Sequence, residues 1–316
     1  RSGSNLLRVM LNQHPEISAP HPPHILQVMM PFLPMYGNLE SPENFSQLVD
    51  DVCKLVELNP VNWGVQFDRN AIADKCASNS LPQVMKAIYE IKAEKSGATI
   101  WCCKSMASIH YIDSIEKSGI NPFYIFIYRD GRDVACSFRK AVVGEKHVYH
   151  LAMQWKDEQE KSLALCEEVE SVRYIKIPYE DFVIDPSVYL KQICSALGLR
   201  YESVMLDYAS AEESKITAQS GRMWSNLVKP VMTDNSRKYL KELAREDLVI
   251  FESVAGDVLD RLGYPREIAA TELKKFPEDE IANFTSENKV KQNAAKASAA
   301  EDMSKRKAQD DFILAL

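Results

Sequence analysis

Two short segments of this chain carry side chains suited to binding phosphate. The first, residues 1–5, reads Arg-Ser-Gly-Ser-Asn and leads into apolar residues at helical spacing, Leu6, Leu7, Val9, Met10 and Leu11. A glycine turn that opens a helix directs several backbone N–H groups and the positive end of the helix dipole to one point. The hydroxyls of Ser2 and Ser4 add donors, and the Arg1 guanidinium suits a tetrahedral oxyanion. An ordinary Ser/Gly helix cap would use the same residue types.

The second segment begins with a predicted strand, residues 123–128, whose aromatic and β-branched side chains are typical of a buried strand. Arg129 follows at the carboxyl end of that strand, where open α/β sheets bind their ligands. Ser137 lies two helical turns further along a predicted helix. The alternatives are a salt bridge from Arg129 to Asp130 or Asp133 at the helix cap, and a buried helical hydroxyl at Ser137. Two anion sites at two strand-to-helix junctions indicate a nucleotide with phosphate at both ends of its ribose.

The first segment departs from the loop that binds ATP with magnesium. A Walker A loop places Lys before a Ser or Thr whose hydroxyl serves Mg²⁺, whereas Asn5 and Leu6 follow Ser4 here. The sequence therefore disfavours a magnesium-dependent nucleotide hydrolase and makes a P-loop kinase the least favoured function.

Together the two segments resemble the nucleotide signatures of the PAPS-dependent sulfotransferases, PAPS being 3′-phosphoadenosine 5′-phosphosulfate. The resemblance spans residues 1–265 and includes, as weaker features, Tyr179-Glu180-Asp181 and Leu262-Gly263-Tyr264. The first helix, which ends before Pro15, is most similar to the bacterial and natural-product branch. The resemblance implies an α/β fold: a single domain with a central parallel sheet flanked by helices and a P-loop type of nucleotide site.

The resemblance also implies roles for individual residues. Arg1 would contact the 5′-phosphosulfate. The loop around that group would consist of Ser2, Gly3, Ser4 and Asn5. Arg129 and Ser137 would grip the 3′-phosphate, and Tyr179 matches a position associated with the adenine. The alternative for Tyr179 is a core aromatic residue whose hydroxyl finds a backbone partner.

Sulfuryl transfer is a loose, in-line displacement in which positioning and charge stabilisation dominate. Lys104, at the carboxyl end of a predicted strand, matches in position the family's lysine beside the scissile bond; the alternative is a solvated lysine at a strand end. Ser105 is assigned an assisting role. Arg222 stands in a segment that loosely resembles the family's late nucleotide segment, although the usual Arg-Lys-Gly run is absent, and Trp224 is interpreted as a core residue.

The base that takes the acceptor's proton is predicted to be a histidine. Cytosolic members of the family carry His two residues after the lysine, where this chain has Met106. His24 follows two prolines that would hold it rigidly, and an imidazole titrates near neutrality. His21 and His110 are the alternatives, and His24 could instead merely cap the next helix.

Composition narrows the classes of partner. At 316 residues and 46% hydrophobic content, the chain can bury the core of one large domain. The net charge of −7 argues against nucleic-acid binding and against a highly sulfated polysaccharide acceptor. No apolar run is long enough to span a membrane. The seven cysteines include no CxxC pair, so neither a zinc site nor a disulfide framework is expected. The prediction is a reduced, cytoplasmic protein that needs no metal, with sequons at Asn44 and Asn283 keeping the secretory pathway open.

Helical and strand patterns alternate along the chain. Strands are predicted over residues 99–103, 123–128 and 172–177, and helices over 5–14, 45–56, 81–95, 147–170, 186–197 and 247–262. Strands separated by helices predict a parallel sheet with right-handed crossovers. Over residues 199–235 the periodicity fades, which predicts a long active-site loop or lid.

The predicted catalytic domain covers residues 1–265, and residues 266–316 form a charged tail that is helical or disordered, disorder being the preferred alternative. The tail could dock onto a protein partner or a second copy of the chain. Because a phosphate loop normally follows a strand, a further strand is expected before Arg1.

The sequence therefore predicts a sulfotransferase that moves a sulfuryl group from PAPS to a hydroxyl or amine, releasing PAP, the desulfated nucleotide. The Met-rich residues 28–36 predict an apolar pocket for a small-molecule acceptor, although core packing explains the same residues. The alternatives are a non-catalytic protein that binds PAPS or PAP, and a P-loop kinase.

Overall fold

The computed structural model describes residues 2–299 and 304–316 and is rich in helix. The strands are β1 (Ile17–Ser18), β2 (Ile100–Trp101), β3 (Tyr124–Tyr128) and β4 (Tyr174–Pro178). The α-helices are α1 (Ser4–Leu11), α2 (Ile25–Met29), α3 (Pro42–Glu57), α4 (Arg69–Lys75), α5 (Leu81–Lys95), α6 (Ile112–Lys117), α7 (Gly131–Arg139), α8 (Val148–Glu168), α9 (Tyr179–Ile184), α10 (Pro186–Ala196), α11 (Glu212–Gln219), α12 (Tyr239–Glu242), α13 (Arg245–Arg261), α14 (Glu278–Ala297) and α15 (Lys307–Ala315). Short 3-10 helices cover Met30–Tyr36, Met106–Tyr111, Ser171–Arg173, Ser203–Ser210, Arg222–Val228 and Ala270–Glu272.

The described residues group into two compact units. The Arg129 unit comprises residues 2–3, 124–189 and 231–299, and the His24 unit comprises residues 4–123, 190–230 and 304–316. Each unit contains one pair of parallel strands: β3 with β4 in the Arg129 unit, and β1 with β2 in the His24 unit. Helices with parallel strand pairs make the chain an α/β protein.

The parallel pairing was predicted, but the described strands form two short pairs where the sequence predicted one central sheet. β1 was missed because it is only two residues long. Pro20, Pro22 and Pro23 follow it, and proline cannot donate to a strand ladder, so the pair cannot extend in that direction.

The segment from 199 to 235 is largely helical, so the prediction of a long loop there was wrong. It contains α11 and the 3-10 helices Ser203–Ser210 and Arg222–Val228. Short 3-10 helices follow a three-residue period, which explains why a search for helical or strand periodicity missed them. Arg8 of α1 anchors α11: its buried guanidinium donates to Glu213 Oε1 at 2.7 Å and to Thr217 Oγ1 at 2.9 Å.

The core of the Arg129 unit lies where α7, α8 and α13 meet. Trp155 of α8 and Phe251 of α13 are buried there. A Cβ atom added at Gly131 would lie 2.5 Å from both rings. Only glycine lets the start of α7 approach the two helices this closely. The core of the His24 unit is formed mainly by α2, α3 and α5.

The carboxyl-terminal segment, for which the sequence left helix and disorder open, forms α14 and α15. Asn288 of α14 accepts the backbone N–H groups of Lys146 and His147 at 2.7 and 2.9 Å, which ties α14 to the start of α8. Within the described ranges, no helix combines the length and apolar character needed to cross a membrane.

Candidate active site

Arg129 and Tyr179 lie at the carboxyl ends of adjacent strands. Tyr128 at the end of β3 pairs with Pro178 at the end of β4, so the residues that follow these two leave the sheet side by side. The guanidinium carbon of Arg129 lies 4.6 Å from the centre of the Tyr179 ring. Arg129 is only 4% exposed, and a cation on an aromatic face is stabilised by the ring quadrupole. Strand register thus brings two of the predicted nucleotide residues together.

Gly3 of the amino-terminal loop packs directly against the Tyr179 ring. Its φ is +80°, and a Cβ atom there would lie 2.5 Å from Tyr179 Cδ2 and 2.7 Å from Cε2. Ser2, the preceding residue, is buried. The loop backbone, the aromatic ring and the arginine therefore form one cluster, which we call the Arg129 cluster: Ser2, Gly3, Arg129 and Tyr179.

Asn235 joins this cluster from a distant part of the sequence. Its carbonyl accepts a hydrogen bond from Arg129 Nη2, and its side-chain amide donates to the Tyr179 hydroxyl at 3.0 Å. The alternative interpretation of Tyr179, a backbone partner for its hydroxyl, therefore does not describe this contact, because the partner is a side chain. Sequence reasoning missed Asn235, since Asp234-Asn235-Ser236 has only the composition of a turn.

The two aspartates near Arg129 have different partners. Asp133 Oδ2 lies 3.7 Å from Arg129 Nη2, and its carboxylate also accepts the backbone N–H groups of Arg237 and Tyr239 at 2.7 and 3.0 Å. Asp130 instead pairs with Arg132 at 2.7 Å and caps α7 through the Arg132 N–H at 2.9 Å. Burial raises the pKa of Asp133, and the Arg129 charge opposes that rise. Of the two predicted cap partners, Asp133 lies within ion-pair distance of Arg129.

The other predicted nucleotide residues are placed as follows. Ser137 is half-buried on α7, two turns after Gly131. Ser4 and Asn5 open α1 in the His24 unit, where Asn5 Oδ1 accepts from Arg8 Nε at 3.3 Å. Arg222 is exposed at the start of its 3-10 helix. Arg1, assigned to the 5′-phosphosulfate, lies outside the described residues.

The predicted catalytic residues His24, Lys104 and Ser105 lie in the segments that follow the carboxyl ends of the parallel strands β1 and β2. Ser18 of β1 pairs with Trp101 of β2, so the segments containing His24 and Ser105 emerge at one edge. His24 Nδ1 lies 3.2 Å from Ser105 Oγ. His24 occupies the first position before α2 but makes no capping hydrogen bond, so the helix-cap alternative is not what its side chain does. Its φ of 59° is uncommon outside glycine, although histidine is among the residues that tolerate it.

Burial and positive charge keep the imidazoles of this group unprotonated. Burial, followed by the charges of Lys104 and Arg306, lowers the pKa of His24 from 6.5 to about 4. Burial, followed by Arg8 and Lys104, holds the pKa of His21 well below its usual value. At neutral pH both rings can therefore accept a proton.

His21 packs against Trp224 and is close enough to His24 for the charge of that ring to act on it. The His21 ring meets the Trp224 ring edge-on at a centroid distance of 4.9 Å, and His21 is 5% exposed. Considering the described residues alone, His21 Nδ1 is a buried atom without a hydrogen-bond partner. We call His21, His24, Lys104, Ser105 and Trp224 the histidine cluster. His110, the other alternative base, is exposed at the end of a neighbouring 3-10 helix.

The Met-rich segment offers two kinds of surface. Met29 is buried, and Met30, Leu33 and Tyr36 pack against the core of the His24 unit, whereas Met35 is 70% exposed. In the part of the chain that the structure describes, no group of three His, Cys, Asp or Glu side chains is arranged to hold a metal ion.

Comparison with known proteins gives consistent results. Residues 1–203 match the model of the Sulfotransferase family. The chain is 22% identical over 270 residues to protein-tyrosine sulfotransferase A of Caenorhabditis elegans, a match that covers 84% of this chain and 65% of that protein. It therefore spans less than two thirds of that relative's length.

Two solved structures share the fold. The sulfotransferase domain of the Synechococcus PCC 7002 olefin synthase superposes with a TM-score of 0.51 at 23% identity, over 80% of this chain and 90% of that chain. The sulfotransferase domain of the curacin biosynthetic pathway superposes with a TM-score of 0.55 at 21% identity, over 84% of this chain and 94% of that chain.

Proposed function

This chain belongs to the sulfotransferase family, and on that premise we propose that it transfers a sulfuryl group from PAPS to a hydroxyl or amine of a small-molecule acceptor. The observation that carries the proposal is the Arg129 cluster. A buried guanidinium stands beside an aromatic ring, and that ring packs on a glycine loop that has no room for a side chain. A fork-shaped cation suits the phosphate of a nucleotide, and an aromatic surface suits its flat base.

The Arg129 cluster fits PAPS in chemical type. Arg129 would bind the 3′-phosphate together with Ser137, and Tyr179 would lie against the adenine. Ser2 to Asn5 and Arg1 would surround the 5′-phosphosulfate, since a loop that opens α1 directs N–H groups toward an anion. When bound, PAPS would supply the sulfuryl group and leave as PAP.

The histidine cluster is proposed to serve the acceptor. In the transfer, the acceptor oxygen or nitrogen forms a bond to sulfur, the sulfur–oxygen bond to the 5′-phosphate breaks, and the acceptor's proton goes to His24. Lys104 would stabilise charge on the sulfuryl oxygens. The Ser105 hydroxyl, 3.2 Å from His24 Nδ1, would fix the orientation of the ring.

The low pKa of His24 has a mechanistic consequence. An imidazole with a pKa of about 4 is unprotonated at neutral pH but is a weak base. An anion bound at Lys104 would offset that cation and raise the pKa of His24 toward the working pH. His21 and His110 remain the alternative bases.

The first test is calorimetric titration of PAP, and of ATP with magnesium, into wild-type protein and two variants. Arg129→Ala should weaken PAP binding by about tenfold or more, because a hydrogen bond to a charged group contributes about 1.5–3 kcal/mol. Arg139→Ala is the matched control, since Arg139 is an exposed arginine at the end of α7, the helix that follows Arg129, and it pairs with Asp247. Equal losses in both variants would contradict the assignment of Arg129.

Transfer itself is tested by PAP release from PAPS with phenols, aliphatic alcohols, amines and a tyrosine-containing peptide. The peptide is included because the name of the Caenorhabditis elegans relative specifies protein tyrosine. Turnover that depends on one acceptor class would support the proposal. Tight PAP binding without turnover on any acceptor would favour a non-catalytic nucleotide-binding protein, and preference for ATP with magnesium would favour a kinase.

A further inference from the structure

The carboxyl-terminal helix α15 packs onto the core of the His24 unit. Gln309 Nε2 donates to the Leu55 carbonyl of α3 at 2.9 Å, and Phe312, Ile313 and Leu316 contact the buried core. Leu314, by contrast, is 86% exposed. One face of α15 is therefore used for packing and the other faces solvent, as expected of a docked helix.

The turn before α15 reaches the histidine cluster. The guanidinium carbon of Arg306 lies 5.5 Å from the centre of the Trp224 ring. The same Trp224 ring also contacts the His21 ring, which meets it edge-on. The neighbouring Lys305 donates to the Gln219 carbonyl of α11 at 2.9 Å. Residues near the end of the chain thus contact Trp224, which packs against His21 in the histidine cluster.

We propose that the carboxyl-terminal segment completes the acceptor side of the site, with Arg306 as a positioning residue that holds Trp224 against His21 and places a second cation beside His24. The inference rests on the proposed function for its catalytic meaning. Its structural content, the coupling of Arg306 to the two histidines, can be measured without any acceptor.

Arg306 is one of the cations whose charge lowers the pKa of His21 and His24. Those acting on His24 are Lys104 and Arg306, and those acting on His21 are Arg8, Lys104, His24 and Arg306. Arg8 is tied to Glu213 and Thr217, so its position is set by packing elsewhere. Arg306 is the cation that arrives with the carboxyl-terminal segment, so that segment controls part of the positive potential at both rings.

The experiment is an NMR titration of the histidine Cε1–H signals in wild-type protein and in Arg306→Ala, Arg306→Lys and Lys307→Ala. Loss of Arg306 should raise the pKa of His24 by about half a pH unit or more, because a nearby like charge disfavours the charged form. Arg306→Lys should restore most of the wild-type value. Lys307→Ala is the control: it removes the same charge one residue away, where Lys307 pairs with Asp311 in solvent. Near about pH 5, wild-type His24 is still largely unprotonated, so a raised pKa in Arg306→Ala appears there as a larger protonated fraction.

A second pair of variants separates charge from docking. Phe312→Ala with Ile313→Ala loosens α15 while keeping Arg306, and should shift His24 in the same direction as Arg306→Ala. Leu314→Ala, on the exposed face, should leave the pKa of His24 unchanged. These variants also protect the test if Arg306→Ala alone disturbs folding.

PAP affinity measured on the same samples gives the deciding comparison. The proposal expects PAP affinity within about twofold of wild type in Arg306→Ala, a difference of less than about 0.5 kcal/mol. An unchanged His24 titration in Arg306→Ala would overturn the proposal, and so would a tenfold loss of PAP affinity, which would make Arg306 a nucleotide residue. Failure of the wild type to bind PAP would contradict the proposed function instead. The NMR titration of His24 would still test the role of Arg306 in that case.

Discussion

Arg129 and His24, one from each cluster, differ in charge: the arginine is a cation and the histidine is neutral. Arg129 is a buried cation that contacts an aromatic face and approaches the Asp133 carboxylate at 3.7 Å. His24 is a half-buried base; desolvation and the charges of Lys104 and Arg306 favour its neutral form. Arg129 directly follows β3, and His24 lies in the segment that follows β1, so each residue stands beyond the carboxyl end of a parallel strand. Residue type fixes the charge of Arg129, because a guanidinium stays protonated in proteins, whereas burial and the neighbouring cations decide the state of His24.

Gly3→Ala should weaken PAP binding by about tenfold, because displacing the Tyr179 ring from a Cβ at 2.5 Å amounts to overpacking that costs about 1–3 kcal/mol. Gly263→Ala is the matched control: its φ of +82° is close to the +80° of Gly3, but no atom lies within 4 Å of the new Cβ. Both variants should lose about 1 kcal/mol of stability from the left-handed backbone conformation. Equal PAP affinities in the two proteins would argue against a role for the loop–ring contact in nucleotide binding.

His24 should make the protein less stable as the pH falls from about 6.5 to about 4. Because its pKa is about 4 when folded and 6.5 as an ordinary side chain, the unfolded chain takes up the proton first. The stability that His24 contributes is complete above pH 6.5 and is lost on acidification, by about 3 kcal/mol at the lower end. His24→Asn keeps a residue that tolerates positive φ and should flatten this part of the curve of unfolding free energy against pH.

The control is His110→Asn, which replaces an exposed histidine of the same unit. Urea denaturation at about pH 4, 5, 6 and 7.5, values that cover the window from about 4 to 6.5, measures the curves. If the unfolding free energy of His24→Asn depends on pH as steeply as that of the wild type, protonation of the His24 imidazole is not the cause of the loss of stability in acid.

At the scale of elements, α7 is held by its neighbours rather than by its own helical propensity. Gly131 allows its first turn to touch Trp155 and Phe251. Arg132, fully buried, bridges Asp130 in the cap of α7 and Glu252 in α13, each at 2.7 Å. Glu252 also accepts the backbone N–H groups of residues 267 and 268. The motif that contains Arg129 is thus positioned by a second arginine, Arg132, which is held between the cap of α7 and α13.

Glu252→Gln should destabilise the protein by about 3 kcal/mol, because it leaves the buried Arg132 charge with one carboxylate instead of two. Asp257→Asn on the same helix is the control. Asp257 is largely exposed and its bridge to Lys156 should contribute about 1 kcal/mol or less. The free energy of unfolding in guanidinium chloride gives both values, and similar losses for the two variants would refute the anchoring role of Glu252.

At the scale of the whole molecule, two features matter: the net charge, which affects the choice of partner, and the units to which the carboxyl-terminal helices belong. The net charge is −7, so a polyanionic partner must find its cations locally. Residues after 265 supply α14 to the Arg129 unit and α15 to the His24 unit. Phe284 of α14 stacks on His147 at 4.5 Å, which buries an apolar face of the helix. The segment that composition described as a charged tail is therefore part of both folded units.

The net charge predicts that the protein passes through immobilised heparin at pH 7.5 and about 0.15 M NaCl, because repulsion by the acidic molecule outweighs screened local contacts. Retention on an anion exchanger at low salt is the positive control. Elution from heparin only at high salt would reveal a basic groove and would move the acceptor prediction toward sulfated polysaccharides.

Sequence patterns alone located the longer helices α1, α3, α5, α8, α10 and α13 and the strands β2, β3 and β4. The predicted helix 81–95 coincides with α5, and β3 is the strand predicted before Arg129 less its first residue. Such features follow from local rules: apolar periodicity, proline and glycine positions, and the change from strand to helix after Tyr128. Arg129, Tyr179, His24 and Lys104 could be selected because each stands at the end of a predicted strand or beside a proline turn.

Tertiary structure decided which groups meet and what charge they carry. Asn235 lies 106 positions from Arg129 and contacts both its guanidinium and Tyr179. Arg306 approaches Trp224 from beyond the predicted domain, and burial sets the state of His24. None of these contacts has a periodic signal, because side chains distant in sequence meet only after the backbone has packed. The pKa of a buried group depends on that packing, since desolvation and Coulomb interactions act through space and not along the chain.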